Sequence, residues 1–298
     1  SLLLSVRHVL VAFTVRQELR RPLRARQAEG YRALFTAGAD ALRDVADATR
    51  SLRGCRLGYL GVLHTWGRDP LVYHPHVHFV VTGGGAKAAE AGRAVAWQAT
   101  AANFLVHHGT LARVYKAKLT AALRACGIYD NVPESAWCKK SVVDIKPVGD
   151  GQAVLKYLAP YVYRVAISDK RIDACDASSV TYSYTPGRSN VVQTQTVPGQ
   201  RFVGGFAQHI LPRGFQKVRY YGWMNARSKI TLDEVQWLVW LYLGWTFWLA
   251  SGHAPPKEQA VRPKVRCAEC GGEMRIVDVQ HTHCRALLEH GVDFLDSG

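Results

Sequence analysis

The chain has 298 residues, 38 Lys plus Arg against 23 Asp plus Glu, a formal net charge of +15 and 48% apolar residues. That apolar content, with 8 Trp, 13 Tyr and 9 Phe, excludes a disordered chain and suits one large domain or two smaller ones. The positive charge calls for a polyanionic partner, nucleic acid first and an anionic membrane surface second.

The cysteines at 55, 126, 138, 175, 267, 270 and 284 form no paired framework, and an odd count fits a reducing compartment. Residues 1–13, SLLLSVRHVLVAF, lack the basic start of a secretory signal, and Arg7 interrupts their apolar run. A cytoplasmic protein is expected, and the opening Ser1 reads as the start of a piece of a longer chain.

In chain order, residues 5–15 are β-branched and apolar, which predicts a strand. From Arg16 to Arg50 the texture is Leu, Ala, Arg and Glu with no proline beyond Pro22, which predicts a helix with a basic first part. Residues 56–66 and 71–82 predict two strands joined by a turn at 67–70, a hairpin closed by Gly83–Gly85. The Ala-rich stretch 87–126 predicts a helix broken near His108–Gly109; 140–147 predicts a strand and 151–166 a helix. The alternation to that point predicts an α+β fold, a central antiparallel sheet packed by helices as in ferredoxin-like proteins.

Beyond Arg171 the chain is polar and turn-rich, with a hairpin expected at 178–196, a helix near 199–211 and a strand near 215–222. Thr231 and Glu234 have capping-box spacing, opening a helix over 232–250. Its run 235–250 carries Trp237, Trp240, Trp245 and Trp248. At about 16 residues it is shorter than the roughly 20 a membrane span needs, and it has no basic polar face. A buried helix, and no membrane partner, is the expectation. Pro255, Pro256 and Pro263 mark a linker before a cysteine-containing tail.

The stretch LVYHPHVHFVVT (71–82) places His74, His76 and His78 at alternate positions, hence on one face of a strand. Neutral imidazoles on one face can converge on a metal ion, with His64 on the preceding strand or Gln152 on the later helix as third ligand. His74 shares that face and is read as supporting the ligands or facing a bound partner. The alternative is a set of core histidines satisfied by carbonyls. In LKYLAPYVYR (155–164), Tyr157 and Tyr161 are four apart, so on a helix they share a face, with Lys156 and Arg164 adding positive charge. A phenol attacks well only when cations stabilise its phenolate character. Pro160 between the tyrosines introduces a kink, so one or both phenols could work.

The histidine–hydrophobe–histidine element His76–Val77–His78 and the downstream tyrosines resemble the HUH endonucleases, and more narrowly the two-tyrosine rolling-circle transposases of the insertion sequence ninety-one type. Three stretches carry the likeness: GVLHTWGRDPLVYHPHVHFVVTGGG (61–85), VLKYLAPYVYRVAISDKRI (154–172) and QHILPRGFQKVRYYGWM (208–224). The resemblance implies an HUH nuclease core over 1–172 and an accessory DNA-binding helical region over 173–255. It implies Mg²⁺ or Mn²⁺ held by His76, His78 and a third ligand, with Tyr157 and Tyr161 as nucleophiles assisted by Lys156. Single-stranded DNA, as transposon ends and target, would be the partner, with a 5′-phosphotyrosine intermediate and no nucleotide cofactor. A bacterial, cytoplasmic protein associated with the nucleoid when DNA-bound is implied. A plasmid or viral replication initiator or relaxase would share this chemistry, and a zinc-stabilised DNA-binding regulator is a reading of another class.

Many such relatives begin with a cysteine-rich zinc module, absent from this stretch. The tail, over 256–298, could replace it: Cys267 and Cys270 form a CxxC knuckle, and His283 and Cys284, with His281 nearby, could complete a zinc-ribbon-like structural Zn²⁺ site. Arg164, Arg171, Arg213, Lys217 and Arg219 are the candidate DNA contacts, the last three interleaved with aromatics in PRGFQKVRYYGW.

Overall fold

The computed structural model describes residues 4–88, 94–101, 105–139, 141–151, 153–154, 166–186 and 191–250, with side chains through 244. The expectations at Gln152, Lys156, Tyr157, Pro160, Tyr161 and Arg164, and at the tail ligands Cys267, Cys270, His283 and Cys284, lie outside the described residues. The chain forms a compact unit that ends at Trp245.

The centre of this unit is a six-stranded antiparallel sheet, built from β1 (His8–Thr14), β2 (Cys55–Trp66), β3 (Tyr73–Ala88), β4 (Ala94–Ala99), β5 (Val142–Gly149) and, from far along the chain, β9 (Val218–Gly222). The spatial order is β5–β1–β3–β2–β9, with β4 pairing the far end of β3. Period-two alternation gives the sheet two apolar faces. Val9, Val11 and Phe13 of β1, Tyr59 and Leu63 of β2, and Val77, Phe79 and Val81 of β3 point one way. Against them pack α1 (Gln17–Ala25), α2 (Gln27–Ala48) and α3 (His108–Ala125), with Phe79 edge-on to Phe13, Phe35 and Tyr59 at 5.6, 6.3 and 5.8 Å. Leu10, Leu60, Val62 and Val80 point the other way, against Val154, Trp223 and Met224. Short helix α4 (Glu134–Cys138) precedes β5.

Three expectations are corrected. The helical stretch after Arg16 is two helices meeting at Arg26, which has φ −133°, ψ 63° and interrupts the helical path. Residues 87–126 are not one helix, since 94–99 form strand β4 and α3 starts at His108. The glycines at 83–85 do not end the hairpin strand, which runs to Ala88. A side chain at Gly84 would meet the Trp97 ring of β4 at 2.8 Å, so glycine is what lets β4 close over that strand.

The second, three-stranded antiparallel sheet comprises β6 (Ile172–Cys175), β7 (Ser179–Tyr184) and β8 (Gln193–Pro198), followed by α5 (Gly199–Ala207). Its small core of Ile167, Tyr182 and Val197 includes Leu71 from the turn between β2 and β3, and the Tyr182 hydroxyl lies 3.2 Å from Asp69 there. The final helix, α6 (Leu232–Ala250), starts with the expected capping box: the Glu234 carboxylate accepts from the Thr231 amide at 2.8 Å, and Thr231 Oγ1 accepts from the Glu234 amide at 3.2 Å. It is neither continuous as expected, since Gly244 with φ 81° and ψ 174° breaks the helical path, nor wholly buried. Among its described side chains Val235, Leu238 and Val239 are buried in the core, with Leu232 and Leu243 packed against it, while Trp237 and Leu241 are 58% and 60% exposed. An apolar run gives no helical phase, so burial on one side alone was not legible in it. Among the described residues no helix is long and apolar enough to cross a membrane.

Candidate metal centre

Register brings the histidines together. β2 and β3 pair so that His64 lies directly across from His76, and Val62 across from His78. Directly opposed residues in an antiparallel pair share a face, so all three imidazoles stand on the side away from α1–α3, in line with Leu60, Val62 and Val80. On the other flank β1 sets Ala12 beside His78 and Thr14 beside His76, two small residues that leave the rings room. Ring centroids are 5.3 Å apart for His64–His76, 4.8 Å for His64–His78 and 4.7 Å for His76–His78. One nitrogen from each of the three lies within 4.8 Å of the others, so the cluster could hold a metal ion.

The protonation state suits that role. Burial lowers the His78 pKa to about 2, with His76 and His64 beside it adding to the effect. Burial likewise lowers His76, and lowers His74 to about 4 with His76 and the Arg20 guanidinium contributing. Burial thus favours the neutral form of His76 and His78, the form that ligates metals. His76 Nδ1 lies 2.8 Å from the His74 carbonyl, which can only accept, so the ring proton sits on Nδ1 and the lone pair on Nε2. A carbonyl two residues back on the same strand thus sets the tautomer of a candidate ligand.

His74 itself stands outside the triad. Its Nδ1 accepts from the Arg20 guanidinium on α1, which places a fixed positive charge beside His74 and His76. Sequence reasoning missed Arg20: within RQELRRPLRAR nothing distinguishes it from Arg16, Arg21 or Arg24. Trp66 was also missed. Its ring stacks on His64 at 5.2 Å and 22°, and the Lys217 ammonium sits 5.1 Å from its centroid. His209 braces the same corner, donating from Nε2 to the Pro70 carbonyl at 2.6 Å and facing the Thr65 hydroxyl with Nδ1 at 3.2 Å. No local pattern could have revealed this, because Thr65 and His209 are 144 residues apart.

The segment that leads to the tyrosines begins on the histidine face. After β5, the Asp150 carboxylate caps the Ala153 amide at 2.9 Å, and Val154 is fully buried with Leu10, Leu60 and Val62. Of the expected DNA contacts, Arg171 donates to the Ser183 carbonyl at 2.9 Å, Lys217 covers Trp66, Arg213 is exposed, and Arg219 lies over Phe35 at 4.4 Å.

These features define an α+β protein with an imidazole triad, His64 buried and His76 and His78 partly buried, on one face of an antiparallel sheet. Over residues 58–230, more than half of the chain, the sequence matches the protein family described as "Putative transposase", and the protein belongs to that family, the two-tyrosine transposases of the insertion sequence ninety-one type. It is 30% identical over 251 residues to "Putative transposase y4qJ" of Sinorhizobium fredii, covering 76% of this chain and 61% of that protein. It is 28% identical over 214 residues to "Transposase for insertion sequence element IS801" of Pseudomonas savastanoi pv. phaseolicola, covering 65% of this chain and 49% of that protein. The chain therefore spans between about half and three-fifths of the length of these relatives. No solved structure matches it.

Proposed function

We propose that this chain is the nuclease and strand-transfer part of a rolling-circle transposase, cutting and rejoining single-stranded DNA through tyrosine. The observation that carries the reading is the His64–His76–His78 triad, on the sheet face where the chain enters the tyrosine segment. Tyr157 is the third residue after Val154, at most about 10 Å of chain away. His64 is the third ligand in this reading, since it lies across from His76. Three neutral imidazoles are softer donors than Mg²⁺ prefers, which places Mn²⁺ ahead of it. A bound divalent ion would supply Lewis-acid polarisation of the scissile phosphate and stabilise the charge that develops on it.

In the chemical step the phenol oxygen of Tyr157 or Tyr161 attacks phosphorus and loses its proton. The bond to the 3′ oxygen breaks, and that oxygen leaves as a hydroxyl. A 5′-phosphotyrosine remains, and attack by a 3′-hydroxyl on that linkage reverses the step and joins strands, so no nucleotide cofactor is needed. Lys156 would favour the phenolate, and the Arg20 guanidinium would bind a non-bridging phosphate oxygen. Arg164, Arg171, Arg213, Lys217 and Arg219 would hold the strand. The protein would act on DNA in the bacterial cytoplasm, and Cys267, Cys270, His283 and Cys284 would hold a structural Zn²⁺.

The test is incubation with single-stranded element ends and Mn²⁺, read as a protease-sensitive band shift on a denaturing gel. The parent protein forms the adduct, whereas His76→Ala and the Tyr157→Phe/Tyr161→Phe double variant do not. Undiminished adduct from the double variant overturns the nucleophile assignment.

A further inference from the structure

On the side of the sheet away from the histidines, a cleft of about 220 Å³ lies between α2 and the segment that leads into β9. Three guanidiniums line it, those of Arg32, Arg213 and Arg219. No carboxylate lines it, and among the described residues none of the three forms an ion pair. Arg32 interacts with the charge of Glu29 one turn away without pairing with it, whereas Arg43 on the same helix pairs with Asp40 at 2.7 Å and Asp44 at 3.1 Å. Three like charges around one small cleft repel one another, which is tolerable in water and favourable only when an anion sits among them.

The cleft is also built. Arg213 and Gly214 form the tip of a turn closed by the Phe215 amide donating to the Pro212 carbonyl at 3.0 Å, and the tip needs the positive φ of 71° at Gly214. Phe215 anchors the turn in the core, edge-on to Tyr31 at 5.4 Å. The Arg219 guanidinium is held over two rings, 4.4 Å from Phe35 and 5.1 Å from Phe215. A stacked guanidinium keeps its donors oriented and loses little freedom when an oxyanion binds.

β9 is the edge strand of the sheet beyond β2. In its register Arg219 pairs with Gly61 and Tyr220 with Leu60, so neighbouring residues send one side chain to each face of that edge. Tyr220, on the histidine side, is 43% exposed. We propose that the cleft of Arg32, Arg213 and Arg219 holds backbone phosphates of a nucleic-acid strand, so that a single strand engaged at the histidine face wraps the β9 edge and is gripped on both sides of the sheet. This rests on the reading that the histidine face handles single-stranded DNA.

The test uses the full chain carrying Tyr157→Phe and Tyr161→Phe, in chelator, so that binding is measured without chemistry. Fluorescently labelled oligo-dT of two lengths, one able to reach around the edge and one too short, is titrated over a range of NaCl concentrations. Arg32 and Arg213 are exposed, and Arg32→Gln/Arg213→Gln leaves the stacked Arg219 in place. This variant is expected to bind the long oligonucleotide about tenfold more weakly, with a log–log salt slope shallower by roughly 0.7 for each phosphate lost, and to lose less affinity for the short one. Arg53→Gln/Arg113→Gln, which removes the same charge from exposed positions elsewhere, is expected to bind both as the parent does. Equal affinity and slope for variant and parent overturn the proposal, as does an equal loss in the Arg53/Arg113 control. Failure of the nuclease reading would instead appear as an absence of covalent adduct in the unsubstituted protein, a separate readout.

Discussion

The buried imidazoles make a quantitative claim about metal binding and pH. In an exposed histidine site, protons compete with the metal: at about pH 5.5 an imidazole of ordinary pKa near 6.5 is about ten parts protonated to one neutral. Each such ligand then costs about tenfold in apparent affinity, and two cost roughly a hundredfold. Here burial lowers the pKa of His78 to about 2 and lowers that of His76 as well. The competition from His78 is thereby removed over the working range, and that from His76 is reduced. Calorimetric titration of the DNA-free protein with Mn²⁺ at about pH 7.5 and pH 5.5 should give affinities that differ by less than about a hundredfold. His76→Ala, run in parallel, should abolish the binding. A fall of a hundredfold or more across that interval would mean that the imidazoles titrate freely, and the buried-triad account would be wrong.

Arg20→Gln should leave Mn²⁺ affinity unchanged while slowing adduct formation about tenfold or more in single-turnover measurements, because it removes a charge that acts on the phosphate rather than on the metal. His8, fully buried on β1, has its pKa lowered to about 4 from an ordinary 6.5, chiefly by desolvation. As pH falls the unfolded chain takes up this proton first, so stability is lost between about pH 6.5 and pH 4, by roughly 3 kcal/mol from this group. His8→Leu should flatten that part of the urea-stability profile. Gly222→Ala should destabilise by about 3 kcal/mol or more in thermal denaturation, because the added Cβ would fall 1.6 Å from the Leu57 carbonyl oxygen in a backbone with φ of 61°.

Much of the site was legible in HPHVH because strand alternation needs no tertiary knowledge: three alternate histidines must share a face. The place of His64 followed from the hairpin, whose short turn brings the two arms into pairing. Beyond the hairpin, legibility faded for physical reasons. The stretch 87–126 is rich in alanine, a residue depleted in strands, yet Ala94–Ala99 is a strand because Trp97 fills the space that Gly84 leaves open. The capping box at Thr231 marked the start of α6, while which side of that helix is exposed depended on partners far away in sequence. Arg20 and His209 reach the site through contacts spanning 54 and 144 residues, which no single-sequence pattern encodes.

The identity of the nucleophile decides whether the protein cuts DNA through tyrosine. Single-stranded element ends reacted with the protein in Mn²⁺, digested with trypsin and analysed by mass spectrometry should yield a nucleotide-bearing peptide with the phosphate on Tyr157 or Tyr161, and no such peptide from His76→Ala protein. Attachment at any other residue, or the same peptide from protein lacking the His76 imidazole, would contradict it.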